Sequence, residues 1–416
     1  MNRFLTAHKE GPTMLFKRAM QTAVALALTA GVAQAQMSDG VIKIGVMNDQ
    51  SGTYADLAGP GSVVAARMAV EDFGAAKKGM KVEIVVADHQ NKPEVGSSIA
   101  RQWFDVDKVD VIVDVPTSSV VLAVNQVAKD KNKVLIVSTG ATVDLTGKAC
   151  TPNAVHWTYD TWSLANGTGT AVVKNGGNTW FFLTADYAFG HSLEGQTEAV
   201  VQKLGGKVVG KVRHPFPSAD MSSFLLQAQS SKAKIIGLAN AGADTINAIK
   251  QGAEFGIVKG GQQFAGLLVF LTDVHSLGLP IAQGLLLTES FYWDLNPQTR
   301  AWSQRFAKLH KGAMPTMGQA GVYSGVLHYL KAVEALKSDA AGDQVVAKMK
   351  ELPTDDPVFG KGRVRQDGRK IHNMYLFEVK KPGESKGAWD YYHVRGTIPA
   401  DQAFRPEKEG GCPLVK

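Results

Sequence analysis

The chain has 416 residues, 44% of them hydrophobic and 20% charged, which suits two or three globular domains and excludes a disordered or fibrous chain. Its formal charge is +7. Four Lys/Arg and one Glu fall within residues 1–35, leaving 41 basic against 37 acidic residues, a scattered +4 that does not point to nucleic acid. No run reaches the ~18 consecutive apolar residues of a membrane span.

The first segment, "MLFKRAMQTAVALALTAGVAQAQ", sets Lys17 and Arg18 before a short apolar stretch that ends in Ala33-Gln34-Ala35. That order is an export signal, with cleavage expected after Ala35 and Met14 as a candidate start. No Cys follows the cut, so lipid attachment is not supported. Export implies an oxidising compartment, where Cys150 and Cys412 are expected to form a disulfide.

From residue 41 strand-like and helix-like segments alternate: "VIKIGVM", "GSVVAARMAVEDFG", "MKVEIVVAD", "EVGSSIARQWFD", "VDVIVDV", "SVVLAVNQVAK", "KVLIVST". Near-continuous Val/Ile strands between amphipathic helices imply an α/β fold with a parallel sheet covered on both faces. The rhythm restarts after residue 156 as a second α/β unit, and a tail from about residue 372 holds short strands, "NMYLFEV" and "WDYYHV". No linker separates the halves, so the chain crosses between them more than once.

Catalytic constellations are missing. The ten His lack metal-ligand spacing, no phosphate loop ends in Lys-Ser or Lys-Thr, "GTGT" at 167–170 lacks a third glycine, and no nucleophile elbow occurs. Asp355 and Asp356 lie in a Pro-bounded turn and read as solvated acids. Binding therefore ranks above catalysis, and no metal or cofactor is expected.

Ligands of open parallel sheets sit beyond the carboxyl ends of strands, where helix N-termini point free N–H groups outward. Thr117, Ser118 and Ser119 lie at one such end, and Ser138, Thr139, Gly140, Ala141 and Thr142 at the next. One hydroxyl of the first loop is expected to cap its helix; the others, with the second loop, form a cradle for a carboxylate. Aromatic residues in Gly- and Asp-flanked turns, Tyr54, Tyr187, Phe189 and the Phe291-Tyr292-Trp293 run, are candidates to line a cleft.

Four stretches, "IKIGVMNDQSGTYADLAGPGSVVAARMAVEDFG", "DHQNKPEVGSSIARQWFD", "DVPTSSVVLAVNQVAK" and "TADYAFGHSLE", with the C-terminal "GGCPLVK", carry a resemblance. The chain resembles the type I periplasmic substrate-binding proteins of ABC transporters, in the branched-chain and hydrophobic amino-acid group. The resemblance implies two Rossmann-like lobes joined by three crossovers and closing as a hinged trap. Lobe 1 would be 39–156 plus 288–370, and lobe 2 would be 157–287 plus 371–416. It places carboxylate-binding groups on Thr117–Ser119 and Gly140–Thr142, and a second-lobe aromatic at Tyr187 or Phe189. Tyr54 and Tyr292 complete the expected lining.

The amino-acid binders of this group hold the ammonium with an acidic residue of lobe 2. Here the matching place, Val269 to Leu271, is apolar, with Asp273 close behind. A buried ammonium without a counter-charge costs several kcal/mol. The expectation is therefore a periplasmic, monomeric, non-enzymatic protein that captures a small carboxylate, an aromatic acid first, for an inner-membrane permease. A branched-chain amino-acid binder is the alternative, and becomes the better one if Asp273 reaches the cleft; a ligand sensor for a membrane receptor is another.

Overall fold

The computed structural model describes Met1 and residues 38–416, so the expected export signal lies outside the described residues. Met37–Lys416 forms one compact unit. Its first sheet comprises β1 (Ile42–Asn48), β2 (Val82–Asp88), β3 (Val111–Asp114), β4 (Val134–Val137) and β5 (Ala154–His156), all parallel in the order β2-β1-β3-β4-β5. Helices α1 (Gly59–Phe73), α2 (Pro93–Gln102) and α3 (Ser118–Asp130) connect these strands.

Both faces of this sheet are covered. Ile42, Ile44, Val46, Val113 and Ile136 join Ala65, Ala66 and Met68 of α1 in one core. Met47, Ile112, Leu135 and Val137 join Val120, Val121 and Val124 of α3 in another. Side chains alternate between faces while both faces are apolar, which is why the strands read as unbroken Val/Ile runs.

The second sheet has parallel strands β6 (Thr179–Ala185), β7 (Lys207–His214), β8 (Ile235–Ala239) and β9 (Gln263–Gly266) in the order β7-β6-β8-β9. Helices α4 (Ala188–Lys203), α5 (Ser222–Ser230), α6 (Ala243–Glu254) and α7 (Leu271–Leu277) follow β6, β7, β8 and β9. The chain then forms β10 (Leu286–Glu289), α8 (Pro297–Leu309), α9 (Met317–Leu336) and α10 (Gly342–Glu351). Helices α8 and α9 return to the first lobe: the Arg305 guanidinium pairs with Asp72 of α1 at 2.7 Å, and the Tyr323 hydroxyl donates to the same carboxylate. A two-residue ribbon, β11 (Arg363–Val364) with β12 (Lys370–Ile371), precedes β13 (Met374–Val379) and β14 (Tyr392–Ile398), which build an antiparallel sheet on β10.

The end of the tail departs from its expected place in lobe 2. Cys412 is bonded to Cys150 with the Cα atoms 5.6 Å apart, and the Arg405 guanidinium donates to the Val143 carbonyl, so these residues lie against the first lobe. Asp355 is exposed, and Asp356 is half-buried and also accepts from the Val358 and Phe359 amides and from the Ser324 hydroxyl.

The disulfide joins residues 262 apart in sequence, so it constrains the unfolded chain strongly. Reduction, or Cys412→Ser, is expected to lower the unfolding free energy by about 2–4 kcal/mol, read as a lower urea midpoint.

Candidate functional site

Each parallel sheet reverses its strand order once, between β1 and β3 and between β6 and β8, and a crevice opens at the carboxyl ends there. The loops leaving both switch points enclose one cavity of about 260 Å³ of empty space, counting its mouth. The first lobe contributes Tyr54, Leu57, Pro116, Thr117, Ser118, Thr139 and Ala141. The second contributes Tyr187, Phe189, Ala241, Leu268 and Phe270, and Tyr159 lies on the crossing between them.

The β3–α3 loop is held in an unusual shape. Asp114, Val115 and Thr117 have φ of 83°, 51° and 74°, a region costing roughly 1–3 kcal/mol for each non-glycine residue. The fully buried Asp114 carboxylate over-determines that shape. It accepts from Asn48 Nδ2 at 2.8 Å, Ser138 Oγ at 2.9 Å and Thr139 Oγ1 at 2.6 Å, drawing the ends of β1, β3 and β4 together. Burial raises its pKa, and these hydrogen bonds oppose the rise.

The hydroxyls do not take their expected parts. Thr117 occupies the N-cap position of α3, yet its side chain caps nothing: Oγ1 donates to Asn91 Oδ1 at 2.5 Å. Ser118 Oγ accepts from the Thr142 amide at 3.2 Å. The first-turn N–H groups of α3 thus have no side-chain cap, and this helix start faces the cavity through Thr117 and Ser118. Ser119, Gly140 and Thr142 do not line the cavity. Ser119 sits half-buried one residue further along α3, and a Cβ on Gly140 would lie 2.8 Å from the Val115 carbonyl. Thr142 Oγ1 accepts from the Asp144 amide.

The walls are aromatic. The Tyr159 hydroxyl donates to the Thr139 carbonyl at 2.9 Å, and its ring meets Phe270 edge-on at 5.9 Å. Tyr54 and Tyr187, from opposite lobes, share a hydrogen bond of 2.5 Å between their hydroxyls; burial is the main reason both phenols have raised pKa values. Phe216 stacks on both rings, at 5.3 Å from Tyr54 and 4.5 Å from Tyr187. Beside them the Ala243 amide donates to the Thr53 carbonyl at 3.2 Å. These bonds join the lobes in a closed arrangement.

Two expected ligand contacts are elsewhere. Asp273 is buried in the first turn of α7, where Oδ2 accepts from the Phe270 amide at 2.8 Å, and burial pushes its pKa up to about 7. Tyr292 belongs to the core beneath β13 and β14: its hydroxyl donates to the Trp389 carbonyl and its ring packs 5.0 Å from Tyr392. Phe291 packs edge-on against Trp302, and Trp293 Nε1 donates to the Trp389 carbonyl. Tyr159 and Phe216 escaped sequence reading: Tyr159 stands on the crossing between the lobes, and Phe216 between two prolines. Leu268 and Phe270 lay in the stretch already read as apolar. None of the lining residues is acidic or basic.

Gly242 has φ of 57°, and a Cβ there would come within 2.4 Å of the Thr53 carbonyl across the lobe contact. Gly242→Ala is expected to weaken ligand binding by about tenfold or more by opposing closure, with an unchanged circular dichroism spectrum. Asp273 is a proton-linked residue. Its folded pKa of about 7 exceeds the ordinary 3.8, so its contribution to stability is full below about pH 4 and lost as pH rises to about 7. Asp273→Asn keeps an acceptor for the Phe270 amide and removes the titration. Urea unfolding should show a smaller stability loss from pH 5 to pH 8 in this variant than in the wild type, with ligand affinity unchanged.

The sequence profile described as "Periplasmic binding protein" matches residues 41–388. A crystal structure of a periplasmic binding protein from Burkholderia mallei is 52% identical, with a TM-score of 0.88 over 91% of this chain and 100% of that one. A branched chain amino acid ABC transporter periplasmic ligand-binding protein from Burkholderia xenovorans LB400 is 41% identical, with a TM-score of 0.79 over 90% of this chain and 100% of that one. A solute binding protein of an ABC transporter from R. palustris, solved in complex with benzoate, shares the fold at 22% identity, with a TM-score of 0.78 over 90% of this chain and 100% of that one. With a two-lobed α/β architecture and a cleft between its switch points, the chain belongs to the periplasmic binding protein family, the ligand-binding proteins of ABC transporters.

Proposed function

We propose that this protein is the periplasmic solute-binding component of an ABC uptake transporter, capturing a small aromatic carboxylate between its lobes and delivering it to an inner-membrane permease. On this reading residues 1–35 are the export signal, cleaved near Ala35. Lobe 1 comprises 39–156 with 288–370, and lobe 2 comprises 157–287 with the tail up to the segment that returns to Cys150.

The observation that carries the reading is the chemistry of the cavity. An uncapped helix start and the Ser118 hydroxyl offer donors to an anion. Tyr54, Tyr159, Tyr187, Phe189 and Phe270 offer ring faces. No lining residue offers a carboxylate to an ammonium. The ligand's carboxylate docks on lobe 1, the aromatic wall of lobe 2 closes over its ring, and tighter binding to the closed form shifts the population toward it. The closed protein is the form delivered to the permease.

A branched-chain amino acid is the second reading, favoured by the description of the 41% identical relative from Burkholderia xenovorans. Thermal unfolding of refolded, ligand-free protein separates the two. A ligand at a hundred times its dissociation constant adds about 2.7 kcal/mol. A rise in Tm with benzoate or its analogues and none with leucine or valine is expected. A rise with leucine alone would overturn the aromatic reading.

A further inference from the structure

A relay of hydrogen bonds runs from Asp49 through Asn91 to Thr117 behind the cavity. Asp49 is buried at the end of β1, and its carboxylate accepts from the Gly52 amide at 2.6 Å, the Tyr54 amide at 2.9 Å and Asn91 Nδ2 at 2.6 Å. The carboxylate fixes the orientation of the Asn91 amide, because the nitrogen must face it. Asn91 Oδ1 is thereby turned toward Thr117. At 2.5 Å from Thr117 Oγ1, this carbonyl oxygen can only accept, so the shared proton is the threonine's. The backbone supports the arrangement: Gln90 and Asn91 have φ of 53° and 58°, and Thr117 has φ of 74°.

Thr117 lines the cavity with its own proton already committed. Only lone pairs remain for a ligand. A carboxylate oxygen placed against them is repelled, whereas a donor is accepted. The neighbouring groups have the opposite polarity: the α3 start presents N–H groups, and Ser118 Oγ, which accepts from Thr142, retains its proton. A carboxylate therefore fits on the Ser118 side and a donor on the Thr117 side. The cavity lining holds no acid to neutralise a cationic donor.

We propose that Asn91 is a positioning residue that fixes the Thr117 hydroxyl as an acceptor, so that the ligand carries a neutral hydroxyl donor beside its carboxylate. This inference rests on the aromatic-carboxylate reading and narrows it to hydroxy acids. Asn91 acts through Thr117 and is not among the lining residues.

Phenylacetate, mandelate and phenylglycine share one skeleton with hydrogen, hydroxyl or ammonium beside the carboxylate. Calorimetric titration of the three against the wild type, Asn91→Ala and Thr117→Val tests the proposal, with Tm of the ligand-free variants as the control for folding. Mandelate is expected to bind the wild type about tenfold or more tighter than either analogue, the worth of one well-made hydrogen bond in a buried site. Its preference over phenylacetate should fall below roughly threefold in both variants, a change in discrimination that a purely structural role would not produce. Equal binding of mandelate and phenylacetate overturns the hydroxyl requirement while leaving the aromatic-carboxylate reading in place. A preference that survives in Asn91→Ala but not in Thr117→Val overturns the role of Asn91. Tightest binding of phenylglycine replaces the hydroxy acid with an α-amino acid. If none of the three binds, nor benzoate, the aromatic-carboxylate reading falls and this proposal with it.

Discussion

The site depends on one buried carboxylate. Asp114 ends β3 at the switch point and gathers Asn48 from β1 with Ser138 and Thr139 from the loop after β4. Without these bonds three strand ends would be free to splay, and the left-handed backbone at Asp114, Val115 and Thr117 would relax toward ordinary values. The loop would then no longer present Thr117 and Ser118 to the cavity. The interaction is strong because it is buried and nearly saturated, and removing one partner leaves the others with unmet polar atoms.

Closure of the lobes uses a different chemistry. Tyr54 and Tyr187 meet through their hydroxyls, Phe216 stacks on both, and one backbone hydrogen bond runs from Ala243 to Thr53. Apart from Tyr54 and Thr53, these residues come from the second lobe. Apolar residues of both lobes, among them Leu57, Phe189, Leu268 and Phe270, pack in the same core. Gly242 permits the close approach, and its positive φ aims the start of α6 at the first lobe.

Three buried acids lie outside the cavity lining, two in the second lobe and Glu289 at the end of β10. Asp273 accepts from the Phe270 amide, Asp244 from the Ser218 amide and Glu289 from the Tyr392 hydroxyl. Burial raises the pKa of all three, with Asp244 and Asp273 near 7. A carboxyl that can hold its proton avoids much of the cost of a charge in a low-dielectric interior. An acidic residue close to a binding cleft in sequence is thus insufficient evidence of a counter-charge. Asp273 caps a helix, and the wall beside it is made by Leu268 and Phe270.

The parallel sheets, their covered faces and the two-lobed plan were legible in the sequence because Val/Ile runs and amphipathic helices alternate, and that period is a local property. The carboxyl ends of strands brought Thr117, Ser118, Thr139 and Ala141 to notice, and the aromatic turns brought Tyr54, Tyr187 and Phe189; these seven line the cavity. Their hydrogen-bond polarity was not legible. Whether Thr117 donates or accepts depends on Asn91, 26 residues away, and on which way Asp49 turns that amide. The same limit hid Asp114, which reads as one polar residue at the end of an apolar strand until its three partners converge on it. Tyr292 shows the reverse error: an aromatic turn suggested a cleft, but packing against Tyr392 and Phe377 drew it into the core. Composition and periodicity determined which elements form and how they stack. Only the tertiary structure decided which side chains face the cavity and where each proton lies, because both depend on partners distant in the chain.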